Sequence, residues 1–388
     1  QTLHLPEHAL LPGLINSHCH AAMSLFRGLA DDLPLMEWLG QHIWPAEAKW
    51  VDEHFVRDGV ELAMAEMIRG GITCFSDMYF FPNVVARAAH DAQMRAQITC
   101  PIIDFPSAWA ANVDEYIHKA VQLIDDFRCQ ERIRIGFGPH APYTVSDEGM
   151  QKALTLAEEI DCVLHIHLHE TAAEVDEAVA KSGVRPFARL HRLGLLGPSM
   201  QTVHMTQLTD GEINMLANTG THVIHCPESN LKLASGFCPV TKLISAGVNV
   251  ALGTDGAASN NDLDMWSEMR TAALLAKGVS GNPAALPAEA ALQMATRNGA
   301  KAMGIEHLCG SLEPGKSADL IAVKMTGIEM EPAYHPTSQL VYATGRQQVS
   351  HSWVEGVCLM QDRNLLTLNE ADILARARAW RERIQETA

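Results

Sequence analysis

The chain has 388 residues, a net charge of −17, 47% hydrophobic and 19% charged residues, the balance of a globular protein with a large core. A surface this negative repels nucleic acid and anionic membranes over most of its area, which leaves a small, neutral or weakly charged molecule as the expected partner. No apolar run reaches the length that spans a bilayer, and the oligomeric state stays open, a homo-oligomer included.

The nine cysteines are odd in number, form no C-x-x-C, and in part (Cys74, Cys100, Cys162) sit in apolar strand-like runs. They read as reduced, buried thiols of a cytoplasmic protein. Gln1 to Glu7 lacks the basic start of a secretory signal, and Gln1 is not an initiator methionine, so a processed or truncated chain is expected.

Residues 1–9 read as the remnant of an N-terminal β segment. Leu10 to His20 (LLPGLINSHCH) is expected to form one strand buried on both faces. Its period of two puts His18 and His20 on one face and Cys19 on the other. The segment Ala21 to Lys49, rich in Leu, Trp and Met, is too long for a connector and is expected to cover a site; Trp38 and Trp44 in it read as core. A helix follows from an Asp52 N-cap to a stop at Gly70-Gly71.

From there strands and helices alternate. Strands are predicted at Ile72 to Asp77, Ala96 to Ile103, Ile133 to Phe137, Val163 to His167, Thr202 to Met205, His222 to His225 and Val248 to Thr254. Between them, helices are predicted near Val84 to Ala92, Val113 to Phe127, Asp147 to Ile160, within Glu174 to Leu193, at Asp210 to Asn218 and near Val240 to Ala246. Eight strand-helix units in series predict an α/β fold, a parallel TIM-type (β/α)8 barrel over 10–305 with its site at the C-terminal ends of the strands. Two more helices, Leu263 to Lys277 and Ala288 to Met303, complete that unit. A strand at Asp319 to Lys324 and a hairpin of Val349 to Val354 with Val357 to Met360 then predict a small β domain over 306–368. A final amphipathic helix, Glu370 to Ile384, lies within 369–388.

Chemistry enters at the strand ends. His18-Cys19-His20 is weak evidence alone, because 19 histidines in 388 residues give roughly one H-x-H by chance. Yet strand 4 ends at His140, strand 5 at His167 and Glu170, strand 6 at His204, strand 7 at His225 and strand 8 at Asp255, all at one mouth of the predicted barrel. Three imidazoles and a carboxylate form a ligand set for one Zn²⁺ per chain, with Fe²⁺ as the alternative ion, and His18, His20, His167 and Asp255 are assigned to it. His165 and His169 alternate onto the same strand face as His167. The first reads as a satisfied core histidine and the second as a loop residue.

These residues carry a resemblance. His18-Cys19-His20, GPHAPYT from Gly138, HLHE from His167, His204, SNLKL from Ser229, GTDGAASNN from Gly253 and GSLEPGKSADLIAV from Gly310 resemble the amidohydrolase superfamily. Within it they are most similar to the mononuclear deaminases of 5′-methylthioadenosine and S-adenosylhomocysteine, relatives of chlorotriazine hydrolases. The resemblance implies a further N-terminal segment that builds half of the small β domain, so that domain is expected to be incomplete here. It also implies that Glu170 protonates a purine ring nitrogen as water adds at C6, that Asp255 accepts the water proton and that His204 orients the water. His140 would contact the substrate, and Glu47 of WPAE would grip the ribose hydroxyls.

Two kinds of alternative stay open. Guanine or pterin deamination, or dechlorination of a triazine, would use the same scaffold; a non-catalytic metal-binding barrel would be of another class. A dinuclear hydrolase fits less well, since His140 stands where such enzymes present a bridging lysine. The cytidine-deaminase class lacks support because H-x-E and P-C-x-x-C are both absent. For the 5′ substituent, Thr99 to Asn112 (TCPIIDFPSAWAAN) holds no Arg or Lys and has an acid at Asp104. A methylthio group beside Ile103, Phe105 and Trp109 is therefore expected to suit the pocket better than an amino-acid carboxylate.

Overall fold

Two sheets divide the strands in the computed structural model, which describes residues 2–386. In chain order the strands are β1 (His8–Pro12), β2 (Leu14–Cys19), β3 (Ile72–Asp77), β4 (Arg95–Ile102), β5 (Ile133–Pro139), β6 (Leu164–Leu168), β7 (Met200–His204), β8 (His222–His225) and β9 (Val250–Leu252). Beyond them lie β10 (Leu320–Lys324), β11 (Val349–Val354), β12 (Val357–Gln361) and β13 (Asn364–Leu365). Strands β2 to β9 form an eight-stranded parallel sheet in sequence order, with helices between successive strands. Every residue of β2, β3, β4, β6, β7, β8 and β9 is buried, as expected of parallel strands covered on both faces.

The sheet curls until its edges meet. The Asp255 amide donates to the His18 carbonyl at 3.0 Å. Beside it the Asn16 side chain donates to Thr254 Oγ1 at 2.8 Å and accepts from the Thr254 amide at 3.0 Å. Gly253 makes this seam sterically feasible, because a Cβ there would lie 2.8 Å from the His18 nitrogen. The seam thus brings Asp255 beside the His18-Cys19-His20 strand end.

The expected single strand from Leu10 to His20 is instead two. β1 pairs antiparallel with β10 in a second sheet of order β1-β10-β11-β12-β13, whereas β2 opens the barrel. Between them Gly13 passes so close to β3 that a Cβ would sit 1.9 Å from Thr73 Oγ1. The expected helix from Ala288 to Met303 also divides, into Ala288–Met294 and Arg297–Ala302, with Thr296 leaving helical geometry between them. A short helix, Pro336–Tyr342, and the two-residue strand β13 add to the expected elements. Helices Val113–Phe127 and Asp147–Ile160 lie where their apolar spacing put them.

Local chemistry sets the ends of the helix Glu53–Gly70: Asp52 accepts from the Phe55 amide, and Gly71 adopts φ +83° beyond the last turn. Among the described residues no helix is long and apolar enough to cross a membrane. The nine cysteines are free; Cys129 is exposed, against the expectation of burial, because it lies past the end of the helix Val113–Phe127.

The small sheet is fastened to the barrel by charge. Arg95, the first residue of β4, reaches Asp319 Oδ2 at 2.7 Å with both side chains almost fully buried, and Glu355 at 3.0 Å; Arg132 pairs with Glu355 at 2.9 Å. Asp319 also accepts from Ser317 and from the Glu355 amide, each at 2.8 Å. Arg95→Met should strand a buried carboxylate and cost about 3–5 kcal/mol of stability, whereas Arg95→Met combined with Asp319→Leu should cost much less. Denaturant unfolding followed by circular dichroism checks both variants.

Candidate active site

At the C-terminal mouth of the barrel, β2 delivers His18 and His20, with ring centroids 4.8 Å apart. β6 delivers His167, whose Nε2 lies 3.2 Å from His18 Nε2. Asp255, just past β9, places Oδ1 3.5 Å from His18 Nε2 and 3.3 Å from His20 Nε2. Potential ligand atoms of His18, His20 and Asp255 lie within 4.8 Å of one another, and so do those of His18, His167 and His204. The residues assigned from sequence to the metal thus come together, and His204 joins them through His18.

Two of these residues reach the centre through strained backbone. His204 (φ +73°) and Asp255 (φ +63°) both adopt left-handed geometry, which side chains other than glycine enter rarely and at a cost. In each case the strand ends in a sharp turn at the mouth.

The ring atoms facing away from the centre are all tied. His20 Nδ1 meets the Met78 carbonyl at 2.5 Å, His167 Nδ1 the His140 carbonyl at 2.8 Å, and His204 Nδ1 the Asn230 carboxamide oxygen at 2.9 Å. Asp255 Oδ2 accepts from Ser229 at 2.6 Å and Ser259 at 3.0 Å, while Oδ1 accepts from the Gly256 amide at 2.8 Å. Such outer contacts fix the face that each group turns inward.

Burial drives the ionisation states. It pushes the His18 and His167 imidazoles well below their ordinary value, and neighbouring imidazoles push His167 further the same way. Burial works to raise Asp255, but the neighbouring His18, His20 and His204 side chains outweigh it and hold the carboxyl well below the usual range. Neutral imidazoles around an ionised carboxylate are what a divalent cation needs.

Glu170 stands apart. Buried, with Asp255 nearby, its carboxyl is pushed up to about 8, and its Oε2 lies 3.8 Å from His204 Nε2. Glu174, to which the sequence reading assigns no role, supports it by accepting from the Glu170 amide at 2.7 Å and the His169 amide at 3.1 Å. A signal for it exists: Thr171-x-x-Glu174 has the spacing of a capping box, and Thr171 does accept from the Glu174 amide. Asn230 and Ser229 gain their roles only here, although both lie in the SNLKL stretch.

Above the histidines opens a cavity lined by Trp44, Glu47, Tyr79, Ile103, Phe105, His140, Tyr143 and Glu170, among others. Glu47 accepts from the Tyr79 hydroxyl at 2.7 Å, and its apolar surroundings raise its carboxyl to about 7. His140 Nδ1 lies 3.1 Å from Thr144 Oγ1. Trp44, expected in the core, is 40% exposed and forms cavity wall, whereas Trp38 is buried. Trp109, expected beside a 5′ substituent, packs against Tyr116 at 5.6 Å between ring centroids and does not line the cavity. His169 lies in the loop just past β6, as expected, and is buried there; its Nε2 accepts from the Phe187 amide at 3.1 Å. His225, buried at the end of β8, is outside both clusters of candidate ligands.

Comparison with known proteins fits this arrangement. Residues 9–359 match the model of the amidohydrolase family. The chain belongs to the amidohydrolase family. This amidohydrolase is 56% identical over 381 residues to the 5-methylthioadenosine/S-adenosylhomocysteine deaminase of Saccharophagus degradans, covering 98% of this chain and 85% of the relative. Among solved structures it is 51% identical to an adenosine deaminase from Xanthomonas campestris with bound zinc, at TM-score 0.97, covering 98% of this chain and 87% of the other. An atrazine chlorohydrolase from Arthrobacter aurescens complexed with zinc shares the fold at 24% identity and TM-score 0.91, covering 96% and 88%.

The donor set of this amidohydrolase, imidazole nitrogens and one carboxylate oxygen whose other polar atoms are tied, fits a divalent ion such as Zn²⁺ or Fe²⁺. Elemental analysis of fully loaded protein should find one such ion per chain, and Asp255→Ala should lower that content sharply.

Proposed function

We propose that this chain hydrolytically deaminates adenine nucleosides to the inosine analogue and ammonia, with 5′-methylthioadenosine preferred, and that Zn²⁺ held by His18, His20, His167 and Asp255 is its cofactor. The observation that carries the reading is the placement of Glu170: a buried carboxyl three residues beyond His167, open to the cavity and 3.8 Å from His204 Nε2, where burial raises it to about 8. A carboxylic acid that keeps its proton at neutral pH can give it to a ring nitrogen. A merely structural metal barrel has no use for such a group.

When bound, the ion supplies Lewis acidity that brings the pKa of a water toward neutrality. The side chains do the rest. Asp255 takes a proton from the attacking water as its oxygen bonds to C6, and Glu170 gives its proton to N1. His204, with Nδ1 committed to the Asn230 oxygen, turns a bare Nε2 inward and orients the water by accepting from it. The amino group then takes the proton from Asp255 and leaves as ammonia. Glu170 recovers a proton from the new hydroxyl, which becomes the carbonyl. Glu47 in its ionised form accepts from the two ribose hydroxyls, and His140 contacts the base.

For the 5′ group, Ile103 and Phe105 form apolar wall. The guanidinium of Arg189, at the adjoining cavity, is already spent on Asp147 Oδ1 at 2.6 Å, the Val145 carbonyl at 2.7 Å and the Pro142 carbonyl. Asp104 and Glu177 line the same adjoining cavity. Lys181 also lines that cavity but is solvent-exposed, so an amino-acid carboxylate would meet acids and one hydrated ammonium there, whereas a methylthio group gains burial against Ile103 and Phe105.

Glu170→Gln should fold and keep its metal yet lose at least about a hundredfold in kcat, the usual worth of a positioned general acid; steady-state ammonia release from metal-assayed protein checks it. kcat/KM should be higher for 5′-methylthioadenosine than for S-adenosylhomocysteine, and equal or reversed values would remove the proposed 5′ preference.

A further inference from the structure

Beneath the metal cluster runs a line of polar side chains that the mechanism does not use. His18 Nδ1 lies 2.8 Å from His165 Nε2, and His165 Nδ1 lies 2.6 Å from Gln201 Oε1. Gln201 Nε2 donates to the Ala302 carbonyl at 2.7 Å, and Gln97 Nε2 donates to Gln201 Oε1 and to Ser76 Oγ, each at 2.9 Å. His18 is on β2 and His165 on β6, Gln97 on β4 and Gln201 on β7. His165 and Gln201 are cross-strand partners on β6 and β7, but neither β2 and β6 nor β4 and β7 are neighbours in the sheet, so the line crosses the barrel interior, and none of these side chains is more than 1% exposed.

The proton positions along this line can be worked out from one end. The Ala302 carbonyl can only accept, so the Gln201 atom facing it is the amide nitrogen, and the oxygen must face His165. A carboxamide oxygen also only accepts, so His165 carries its proton on Nδ1. Neutral His165 then has a bare Nε2, which can only accept, and His18 must carry its own proton on Nδ1. That leaves His18 Nε2 as a lone pair turned toward His167 and Asp255.

The other two imidazoles assigned to the metal need no such device. His20 and His167 turn Nδ1 toward backbone carbonyls, which are acceptors under all conditions. His18 faces another histidine, a partner that could donate or accept, so its tautomer is undetermined until something fixes His165.

We infer that His165, oriented by Gln201, is a positioning residue that sets the tautomer and ring angle of His18 and so prepares it to bind metal. The inference rests on the reading of His18 as a metal ligand. It gives a role to the first histidine of HIHLHE, and it explains why two glutamines meet inside a barrel where apolar side chains would pack at lower cost.

Long-range ¹H–¹⁵N NMR of zinc-loaded protein, with the His165 signals assigned by their loss in His165→Gln, should show His165 as the neutral Nδ1–H tautomer. Zinc affinity, measured by competition with a chromophoric chelator, should fall about 10- to 100-fold in His165→Leu and in Gln201→Leu. His165→Gln should stay within a few-fold of the parent, since its carboxamide can accept from His18 and donate to Gln201. An Nε2–H tautomer or imidazolium at His165, or parental zinc affinity in a folded His165→Leu, would overturn the inference. Parent protein that takes up no zinc would instead remove the metal reading beneath it. None of these readouts depends on which substrate is turned over.

Discussion

Histidine rings crowded into a buried space with their lone pairs facing one another impose the constraint on which this structure depends. Desolvation keeps His18, His167 and His204 from taking up protons, so the cluster cannot relieve itself by protonation. A cation held between the nitrogens and the Asp255 carboxylate, as proposed above, would balance it. Asp255 supplies the carboxylate, and the seam that closes the barrel puts it there. The nearby Glu170 carboxyl is raised by the same dry surroundings and by the charge of Asp255. One environment thus keeps one acid ionised and the other protonated, which is the division of labour a hydrolytic deamination needs.

The rest of the fold holds that arrangement under strain. Left-handed backbone at His169, His204, Met205 and Asp255 costs on the order of 1–3 kcal/mol per residue. It persists because the surroundings fix the turns: Thr206 Oγ1 donates to the Glu170 carbonyl at 2.7 Å, Glu174 holds the amides before it, and Ser229 and Ser259 hold Asp255. At the opposite end of β4 the buried pair of Arg95 and Asp319 ties the small sheet to the barrel. The left-handed residues thus lie at or just beyond strand ends, and of the residues that hold them Glu174, Ser229 and Ser259 lie on helices and Thr206 in the loop after β7.

Much of this was legible in the sequence because strand ends are where a parallel barrel exposes its side chains. His18, His20, His140, His167, Glu170, His204 and Asp255 can be collected by reading the polar residues that terminate each apolar run. The features that escape the sequence do so for physical reasons. The apolar run through Leu10 to His20 is equally compatible with one sheet or two, and the break at Gly13 comes from Thr73, a contact distant in sequence. Trp44 looks like core by composition, but it opens a short helix, Trp44–Trp50, in a covering segment whose sequence has little periodicity. The partnership of His165 with His18 spans 147 positions and leaves no local pattern. Glu174 carries a capping signal, yet its reach to two amides before the cap depends on the left-handed turn at His169.

Glycines mark two places where the scaffold was built around close approach rather than side-chain chemistry. At Gly13 and Gly253 the backbone meets a neighbouring strand at distances no Cβ tolerates, and the two flank the strand that carries His18. The central claim is that a single cation among these side chains makes water reactive toward the purine. Titrating metal-free protein with Zn²⁺ while following ammonia release from 5′-methylthioadenosine tests it most directly. The account predicts no turnover without metal and a linear rise that levels off at one equivalent per chain; full turnover in metal-free protein, or a rise that continues to two equivalents, would contradict it.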